Sequence, residues 1–409
     1  MKDIMKTKLQ HSLIVLSLVV LMVLVGSTPA MAQSSRADEL AAKQAKKAAM
    51  LAPYKPNKAE QWIKKIEGWG LLTAPKGLYP YFGSAYPGGG FAFGAGYRGY
   101  YSDTGFWDVR GAYTFAAYRM LDATFRLPDM ASGTIKSRFN AHYVYAGKVA
   151  FFGVGNDTSQ DDEASYLYNP TLLDYSLAFH PGKYFSVGGN VAYEKYEIGS
   201  GDKPNVPSIE EIYNPVTAPG LGTNPEYAVA GLFAKFDWRQ SPGYTTSGGL
   251  YSVEWQKYTE RNDLNLDFQR MDVEARQFIP ILRANQVIAL RALGTFTDVK
   301  DQDEIPFFLL PKLGGGSELR GFRDFRFVDR YRMLLTAEYR WTPSKFMDAV
   351  LFYETGKVAS RSEDLDFSDL HNCWGFGIRF HTPAAVPLRI EIARSVEGTR
   401  IIFGGGTSF

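Results

Sequence analysis

One arginine of this chain lies in a glycine-rich segment and has carboxylates within reach on the segments that follow it. Arg320 belongs to the stretch 314–325, which opens on three consecutive glycines and contains Gly321 directly after the arginine. A guanidinium group is planar and always charged, so it can engage two carboxylates through charge-assisted hydrogen bonds. These residues predict a structural ion-pair cluster. The alternative is an exposed loop beside unrelated charges.

The carboxylates are found by following the alternation of the next two segments. Residues 331–341 alternate with a period of two, which indicates a strand with a lipid-type apolar face. Glu338 lies on the opposite face, and Glu354 occupies the corresponding face of the next segment, where Leu351 and Tyr353 point the other way. We therefore expect Glu338 and Glu354 to face inward on adjacent strands, within reach of the Arg320 loop.

The same alternation runs through most of the chain from about residue 77. Strand-like segments begin near residues 91, 106, 119, 137, 165, 184, 226, 248, 266 and 286, and again near 330, 347, 371, 387 and 399. This gives about fifteen strands, whereas bacterial barrels have an even number. The segment 77–85 supplies the sixteenth. With it, the long gaps near 152–164, 200–225, 299–329 and 360–370 all become outer loops, as such barrels require.

The charged face of these segments has two interpretations. In 270–276, Met271, Val273 and Ala275 oppose four charged residues. A soluble sandwich would turn the charges outward, whereas a membrane barrel would turn them into a water-filled lumen. Export and the many aromatic residues (25 Tyr and 28 Phe) favour the barrel. The predicted fold class is all-β, a transmembrane antiparallel barrel of about sixteen strands, with a short N-terminal helical segment and a loop folded into the lumen.

The N-terminus reads as a secretory signal. Three lysines precede an apolar run over 13–26, and the run ends near an A-x-A cleavage site at 30–32. The run is short for a membrane-spanning helix, which leaves an uncleaved anchor as the alternative. The predicted domains are a signal peptide (1–32), a helical or linker segment (33–70) and the barrel (71–409).

Composition excludes two classes of function. The single cysteine, Cys373, excludes a disulfide framework, and a net charge of +2 gives no reason to expect nucleic acid as a partner. The segment 33–70 contains good helix formers over 41–50, followed by Pro53 and Pro56. This segment is either a mobile tail or a plug at the barrel mouth.

Three weaker motifs favour structural roles. Residues 94–99 match G-x-G-x-x-G, but the alternation continues as a strand where a nucleotide site needs a helix. The acidic cluster at 157–163 has no calcium-loop spacing and is expected to be solvated charge. The histidines His142, His180, His371 and His381 lack any catalytic motif around them, so an enzyme in the lumen is the least supported hypothesis. We expect no cofactor and no metal.

Taken together, these features resemble the BamA/TamA superfamily of outer-membrane barrels, also called the bacterial surface antigen family. Its loop motif is V/L-R-G-F, here Leu319, Arg320, Gly321 and Phe322. The resemblance implies that this loop folds into the lumen and that its arginine pairs with acidic residues matching Glu338 and Glu354. The second of these is usually Asp, so this chain departs conservatively.

The resemblance extends to the last strands, through Thr382-Pro383, 387–389 and the terminal pattern 403–409. It implies that Phe403 and Phe409 belong to a C-terminal assembly signal, which the barrel-assembly machinery reads during the barrel's own insertion. The family usually carries periplasmic POTRA modules of about 75 residues. The segment 33–70 is too short for one, so we expect the branch that lacks them.

Two hypotheses about function remain open at this stage. The first is a non-enzymatic role in outer-membrane biogenesis, in which a monomeric barrel disturbs the bilayer or opens a seam between its first and last strands for a protein or lipid client. The second is a narrow pore or transporter for a small solute, motivated by charged rows such as 270–276. Both place the protein in the bacterial outer membrane, in contact with outer-membrane lipid.

Overall fold

A computed structural model describes residues 75–409, except 282–284, 301, 345, 383 and 384. The predicted signal peptide (1–32) and helical segment (33–70) lie outside the described residues, as does Pro383. The barrel strands before the longest loop are β1 (Gly77–Gly83), β2 (Ala92–Tyr100), β3 (Phe106–Thr114), β4 (Arg119–Arg126), β5 (Ile135–Phe151), β6 (Ala164–Phe179), β7 (Phe185–Ser200), β8 (Glu226–Asp237), β9 (Gly248–Glu260), β10 (Phe268–Pro280) and β11 (Gln286–Val299).

Two short strands lie within that loop, and five barrel strands follow it. They are β12 (Lys312–Leu313), β13 (Phe327–Val328), β14 (Tyr331–Ser344), β15 (Met347–Ala359), β16 (His371–Phe380), β17 (Leu388–Ser395) and β18 (Gly398–Gly404). Helix α1 (Ile209–Ile212) is a single turn, and there are 3-10 turns at Gln160–Asp162, Phe307–Leu309 and Ser362–Asp364. No helix among the described residues is long and apolar enough to cross a membrane.

The barrel is one antiparallel sheet of sixteen strands in chain order, in which β11 pairs directly with β14. The prediction of about sixteen strands is therefore confirmed, and the added first strand is β1. β12 and β13 pair with each other, outside the barrel sheet. The sequence predicted no strand in the segment 299–329, which was wrong at this small hairpin. Four residues are too few to show a period of two, so the pattern carried no signal.

Within the described residues, no ladder joins β1 to β18. We call the gap between these two unpaired edges the seam. Leu78, Phe82, Ile401 and Phe403 on the outer face beside it are 61–77% exposed. Exposure alone does not mark the seam, because a lipid-facing side chain on a strand with two neighbours reaches a similar value, as at Leu232 (63%). The seam is therefore defined by the missing ladder.

Side chains alternate between the lipid face and the lumen, as predicted. Along β10, Arg270, Asp272, Glu274 and Arg276 face inward, where Arg276 bonds Glu274 at 2.8 Å. Large apolar side chains such as Trp255 and Phe236 remain exposed on the outside. A barrel in lipid needs this arrangement, because charged groups require water or a partner whereas the outer surface meets hydrocarbon.

The lumen is filled from the outer side by the segment 300–330, which we call the lumen loop. Its upper part inserts Phe307 and Phe308 into an aromatic core. The Phe307 ring centroid lies 4.9 Å from that of Tyr166 and 5.0 Å from that of Phe151, and the Phe308 centroid lies 5.3 Å from that of Tyr196. These tyrosines come from β6 and β7, so this half of the loop is held by apolar burial against the long strands.

One turn on the periplasmic side reaches other strands of the barrel. Residues 238–247 connect β8 to β9 and reach β14–β16. The Tyr244 hydroxyl donates to Asp348 at 3.0 Å, and its ring stacks on His381 with centroids 4.0 Å apart. The turn therefore partly covers the periplasmic mouth of the barrel.

Candidate functional site

Arg320 lies at the centre of three carboxylates inside the barrel. Its Nε donates to Glu354 Oε1 at 3.1 Å, its Nη1 donates to Glu391 Oε2 at 2.9 Å, and its Nη2 lies 2.9 Å from Glu338 Oε1. The Arg320 backbone N–H also donates to Glu354, at 2.7 Å. The guanidinium carbon lies 3.5 Å from the centre of the Phe352 ring. All four charged side chains are fully buried, so the ions are compensated by one another rather than by water.

A second arginine completes this cluster. Arg379 on β16 donates to both oxygens of Glu338, at 2.8 and 3.0 Å, and to Glu391 at 2.7 and 3.0 Å. Arg340 and Arg389 each add one bond, to Glu338 at 2.8 Å and to Glu391 at 2.7 Å. Four arginines thus face three glutamates. We call this set, with Leu319, Gly321 and Phe322, the lock.

The residues beside Arg320 allow the loop backbone to lie close to the barrel wall. A Cβ atom on Gly321 would lie 2.6 Å from Cys373 Cβ and 2.8 Å from Ser395 Cβ, so only glycine fits between β16 and β17. The Gly321 carbonyl accepts a hydrogen bond from the Ser395 hydroxyl at 2.8 Å. Leu319 and Phe322 are buried in an apolar cluster that includes Cys373. These contacts fix the backbone on both sides of the arginine.

Glycines on β16 make room for the cluster from below. A Cβ on Gly375 would meet the Phe352 ring at 2.4 Å, and one on Gly377 would meet Glu391 Cγ at 2.6 Å. Both glycines therefore leave space for side chains that touch Arg320. This is the physical reason for the alternation of glycine and larger residues that begins with Cys373.

An outer loop closes over the lumen loop. In the β5–β6 connection, Gly155 donates its N–H to Val328 at 2.8 Å, and Thr158 accepts from Arg326 at 2.8 Å. Arg326 also pairs with Glu397 at 2.6 Å. We call residues 152–163 the outer strap, because they lie across the lumen loop and reach its far side.

The two C-terminal aromatic residues have different surroundings. Phe403 on β18 is 70% exposed on the lipid face. Phe409 is buried inside the barrel, where its ring centroid lies 6.1 Å from that of Phe278 and 5.1 Å from the Arg340 guanidinium. Ser408 donates to Glu338 at 2.6 Å. The segment 405–409 therefore turns into the lumen and contacts the lock.

The weaker motifs take structural positions. The 94–99 motif lies within β2, and the Tyr79 ring lies over Gly96, with its hydroxyl donating to Asp108 at 2.8 Å. Within the acidic segment, Glu163 pairs with Lys203 and with Arg323. Among the described residues, no group of histidines, cysteines and carboxylates has the arrangement of a metal site.

One histidine contacts the lock: the His371 ring centroid lies 5.6 Å from that of Phe322. His142 contacts Asp122, which also accepts from Arg110 at 3.0 Å, on the lumen wall of β3–β5. His371 Nε2 lies 2.8 Å from the Asn156 carbonyl of the outer strap. His381 lies beneath the Tyr244 ring, while His180 donates its backbone N–H to Thr134 at 2.7 Å.

The sequence interpretation missed Glu391 as a partner of Arg320 and Arg379 as the second arginine of the cluster. Both have the inward parity of their strands, because Arg379 alternates with Phe376 and Ile378, and Glu391 alternates with Ile390. Extending the parity argument from β14 and β15 to β16 and β17 would have placed both on the inner face. Parity gives the face of a residue, however, and not its height in the barrel.

The chain matches one protein family and resembles several solved structures. Residues 116–409 match the Omp85 superfamily domain. No curated protein matches the chain. Among solved structures, BamA from Haemophilus ducreyi lacking POTRA domains 1–3 superposes with a TM-score of 0.60 at 12% identity, over 84% of this chain and 76% of that one. This likeness shows the fold.

Two further structures superpose less well. CdiB from Acinetobacter baumannii gives a TM-score of 0.47 at 12% identity, over 77% of this chain and 55% of that one. Wzi from Escherichia coli, described as a carbohydrate-binding β-barrel involved in group 1 capsule assembly, gives 0.34 at 9% identity, over 87% and 90%. The part of the chain that the structure describes contains no POTRA module. The domain match covers most of the chain, which therefore belongs to the Omp85 superfamily of outer-membrane β-barrels.

Proposed function

We propose that this barrel has a non-enzymatic role in outer-membrane biogenesis, in which a protein or lipid client passes between the bilayer and the barrel wall at the seam. The observation that carries the proposal is the seam itself. Fifteen pairs of neighbouring strands form the barrel wall. Among the described residues, only β1 and β18 lack the ladder that would close it. Exposed strand edges readily pair with another chain.

The strands beside the seam are also the shortest. β1 and β18 have 7 residues each, β4 and β17 have 8, and β5 and β6 have 17 and 16. A membrane strand needs about 9–11 residues to cross the hydrocarbon. A short hydrophobic wall is accommodated by local thinning of the bilayer. The seam is therefore expected to lie in thinned lipid, where a client meets a lower barrier to insertion.

In this proposal the lock keeps the lumen loop in place while the seam opens. The four arginines and three glutamates tie the loop to β14, β15, β16 and β17, which all lie on one side of the seam. A rigid wall beside a weak edge lets the edge move without unfolding the barrel. The protein acts as a monomer in outer-membrane lipid, and the barrel-assembly machinery inserts it.

The test is to close the seam covalently. Cysteines replace Leu78 and Phe403, and a short bifunctional maleimide with a disulfide spacer links them in the folded protein. Cys373 is buried and does not compete. The reconstituted protein is then assayed for insertion of a urea-unfolded eight-stranded barrel into phosphatidylcholine vesicles, and for transfer of a fluorescent phospholipid between leaflets. We expect linkage to abolish at least one activity and reduction to restore it.

The control variant carries cysteines at Val253 and Trp255, away from the seam, and is treated with the same reagent. These residues also face lipid, so the chemistry is matched. Full activity of the seam-linked protein would contradict the proposal, as would the absence of both activities from the unlinked protein.

The second candidate is a narrow pore for a small solute. It is favoured by the polar lumen wall of β3–β6, where Asn140 donates to Asp174 at 3.0 Å next to the Arg110–Asp122 pair. Single-channel conductance of the refolded protein, with Arg320→Ala alongside, separates the two. Large steady steps from the unmutated protein favour the pore. If only the Arg320→Ala variant conducts, the lumen loop blocks the channel in the unmutated protein.

A further inference from the structure

The two edges of the seam differ in the hydrogen bonds that they offer. In an antiparallel ladder, the N–H and C=O groups of successive residues point alternately to the strand on either side. The hairpin bond from Tyr101 N–H to Gly105 O fixes this alternation for β2. By the β1–β2 register, Gly77, Tyr79 and Tyr81 turn their backbone groups towards β2. The backbone groups of Leu78, Pro80 and Phe82 therefore face the seam.

Proline at the middle of this edge removes a donor. Pro80 has no N–H, so β1 presents only two backbone donors to the seam, at Leu78 and Phe82, with a gap between them. Edge positions that face away from the sheet are where a strand tolerates proline. A strand added to β1 would place one of its carbonyls opposite Pro80 with no partner. In hydrocarbon, water cannot replace that bond.

The β18 edge has no such gap. The bond from His381 N–H to Phe346 O fixes the alternation of β16, and the two registers that follow carry it to β18. Thr399, Ile401 and Phe403 then face the seam, and each has both its N–H and its C=O. β18 therefore offers a complete row of donors and acceptors.

We propose that a client strand pairs with the β18 edge, and that Pro80 disfavours both pairing with β1 and closure of the seam. This inference rests on the proposed function. The partner is an extended strand with apolar side chains at alternate positions, because Ile401 and Phe403 face lipid beside it and are 61% and 70% exposed. Pairing joins the backbone groups of Thr399, Ile401 and Phe403 to those of the client.

The experiment compares the two edges by cross-linking. Phe403→Cys on β18 and Leu78→Cys on β1 both lie on the lipid face of an edge strand, at the same end of the barrel. Each variant is reconstituted and mixed with the urea-unfolded eight-stranded barrel carrying single cysteines in its last strand, and disulfide yield is measured. We expect the yield at Phe403→Cys to exceed that at Leu78→Cys by about tenfold, the upper range for one net hydrogen bond.

Adding Pro80→Ala restores the missing N–H and should bring the two yields within about twofold of each other. The matched control is Phe82→Ala, which removes an outward side chain from the same edge but leaves every donor in place. It should keep the preference for β18. Pro80→Ala should also raise cross-linking between cysteines at Leu78 and Phe403 without any client.

The outcomes separate the two proposals. Higher yield at Leu78→Cys, or a preference that Pro80→Ala leaves unchanged, would overturn the edge assignment while a client still binds the seam. No cross-link at either edge would overturn the proposed function together with this inference.

Discussion

The lumen loop is held at two places by opposite kinds of chemistry. Its lower part carries Arg320 among three buried glutamates, whereas its upper part inserts Phe307 and Phe308 among buried aromatic rings. Apolar burial tolerates small shifts, because it is non-directional. Buried ions do not, because each charge must keep its partner. The ionic end therefore defines where the loop sits, and the aromatic end adds stability with less specificity.

The largest expected effect comes from breaking the ionic end. Arg320→Ala leaves three buried carboxylates short of a cation, which costs about 3–5 kcal/mol for a broken buried pair. We expect a lower temperature for the shift in gel migration that reports barrel unfolding. The matched control is Arg323→Ala in the same loop, where the side chain is 44% exposed and pairs with Glu163. Equal effects of the two substitutions would remove the distinction between lock and surface ion pair.

Truncation at the aromatic end should cost somewhat less. Phe307→Ala leaves a cavity against Tyr166 and Phe151, for which about 3 kcal/mol is expected. The control is Phe367→Ala, an outer-loop aromatic that is 60% exposed. Cross-linking of the lower loop to β18, through cysteines at Gly316 and Ile402, reports whether the loop stays in place. We expect it to remain there in Phe307→Ala and to be displaced in Arg320→Ala.

A charge-neutral change should separate charge from shape. Glu354→Gln keeps the size of the side chain but leaves the Arg320 Nε and backbone N–H with a neutral acceptor, and should cost about 1–3 kcal/mol. The double variant with Arg320→Ala should lose less unfolding free energy than the sum of the two single losses, because the residues share one network. Strict additivity of the unfolding free energies would argue against a single cluster.

An effect that depends on pH is expected at the border between the two ends. Burial and the charge of Arg270 lower the pKa of Lys312 to about 7, and its amine lies 4.7 Å from the Phe325 ring. Above pH 7 the unfolded chain binds a proton here that the folded chain does not. Stability should therefore rise as the pH increases from 7 towards 10. Unfolding temperatures measured across this range should lose that slope in Lys312→Met.

Strand alternation predicted the wall and half of the lock. It identified Glu338 and Glu354 because they lie on the two strands directly after the loop, where reach is easily judged. It did not select Glu391, since parity cannot say which inward residues on β17 lie level with Arg320. The aromatic end was also missed. Phe307 and Phe308 lie in a segment without a period, so nothing in the pattern tells a buried loop aromatic from an exposed one.

The inward turn after the last strand could not be predicted from strand alternation either, for a different reason. The family resemblance assigned the terminal pattern 403–409 to the last strands. Three successive glycines at 404–406 instead change the direction of the chain, and Gly406 adopts a positive φ of 76°. Glycine permits such a turn without requiring it. The three glycines indicated a turn, but they could not show that it leads into the lumen.

All three carboxylates that hold Arg320 lie after it in the chain, at 338, 354 and 391. During synthesis and membrane entry, the arginine is therefore made first and its counter-charges arrive later, the last of them in the penultimate strand. A barrel that stopped growing before β17 would hold Arg320 and Arg379 with too few anions. The cluster thus makes completion of the sheet and insertion of the loop a single cooperative step, and an unfinished wall has little stability of its own.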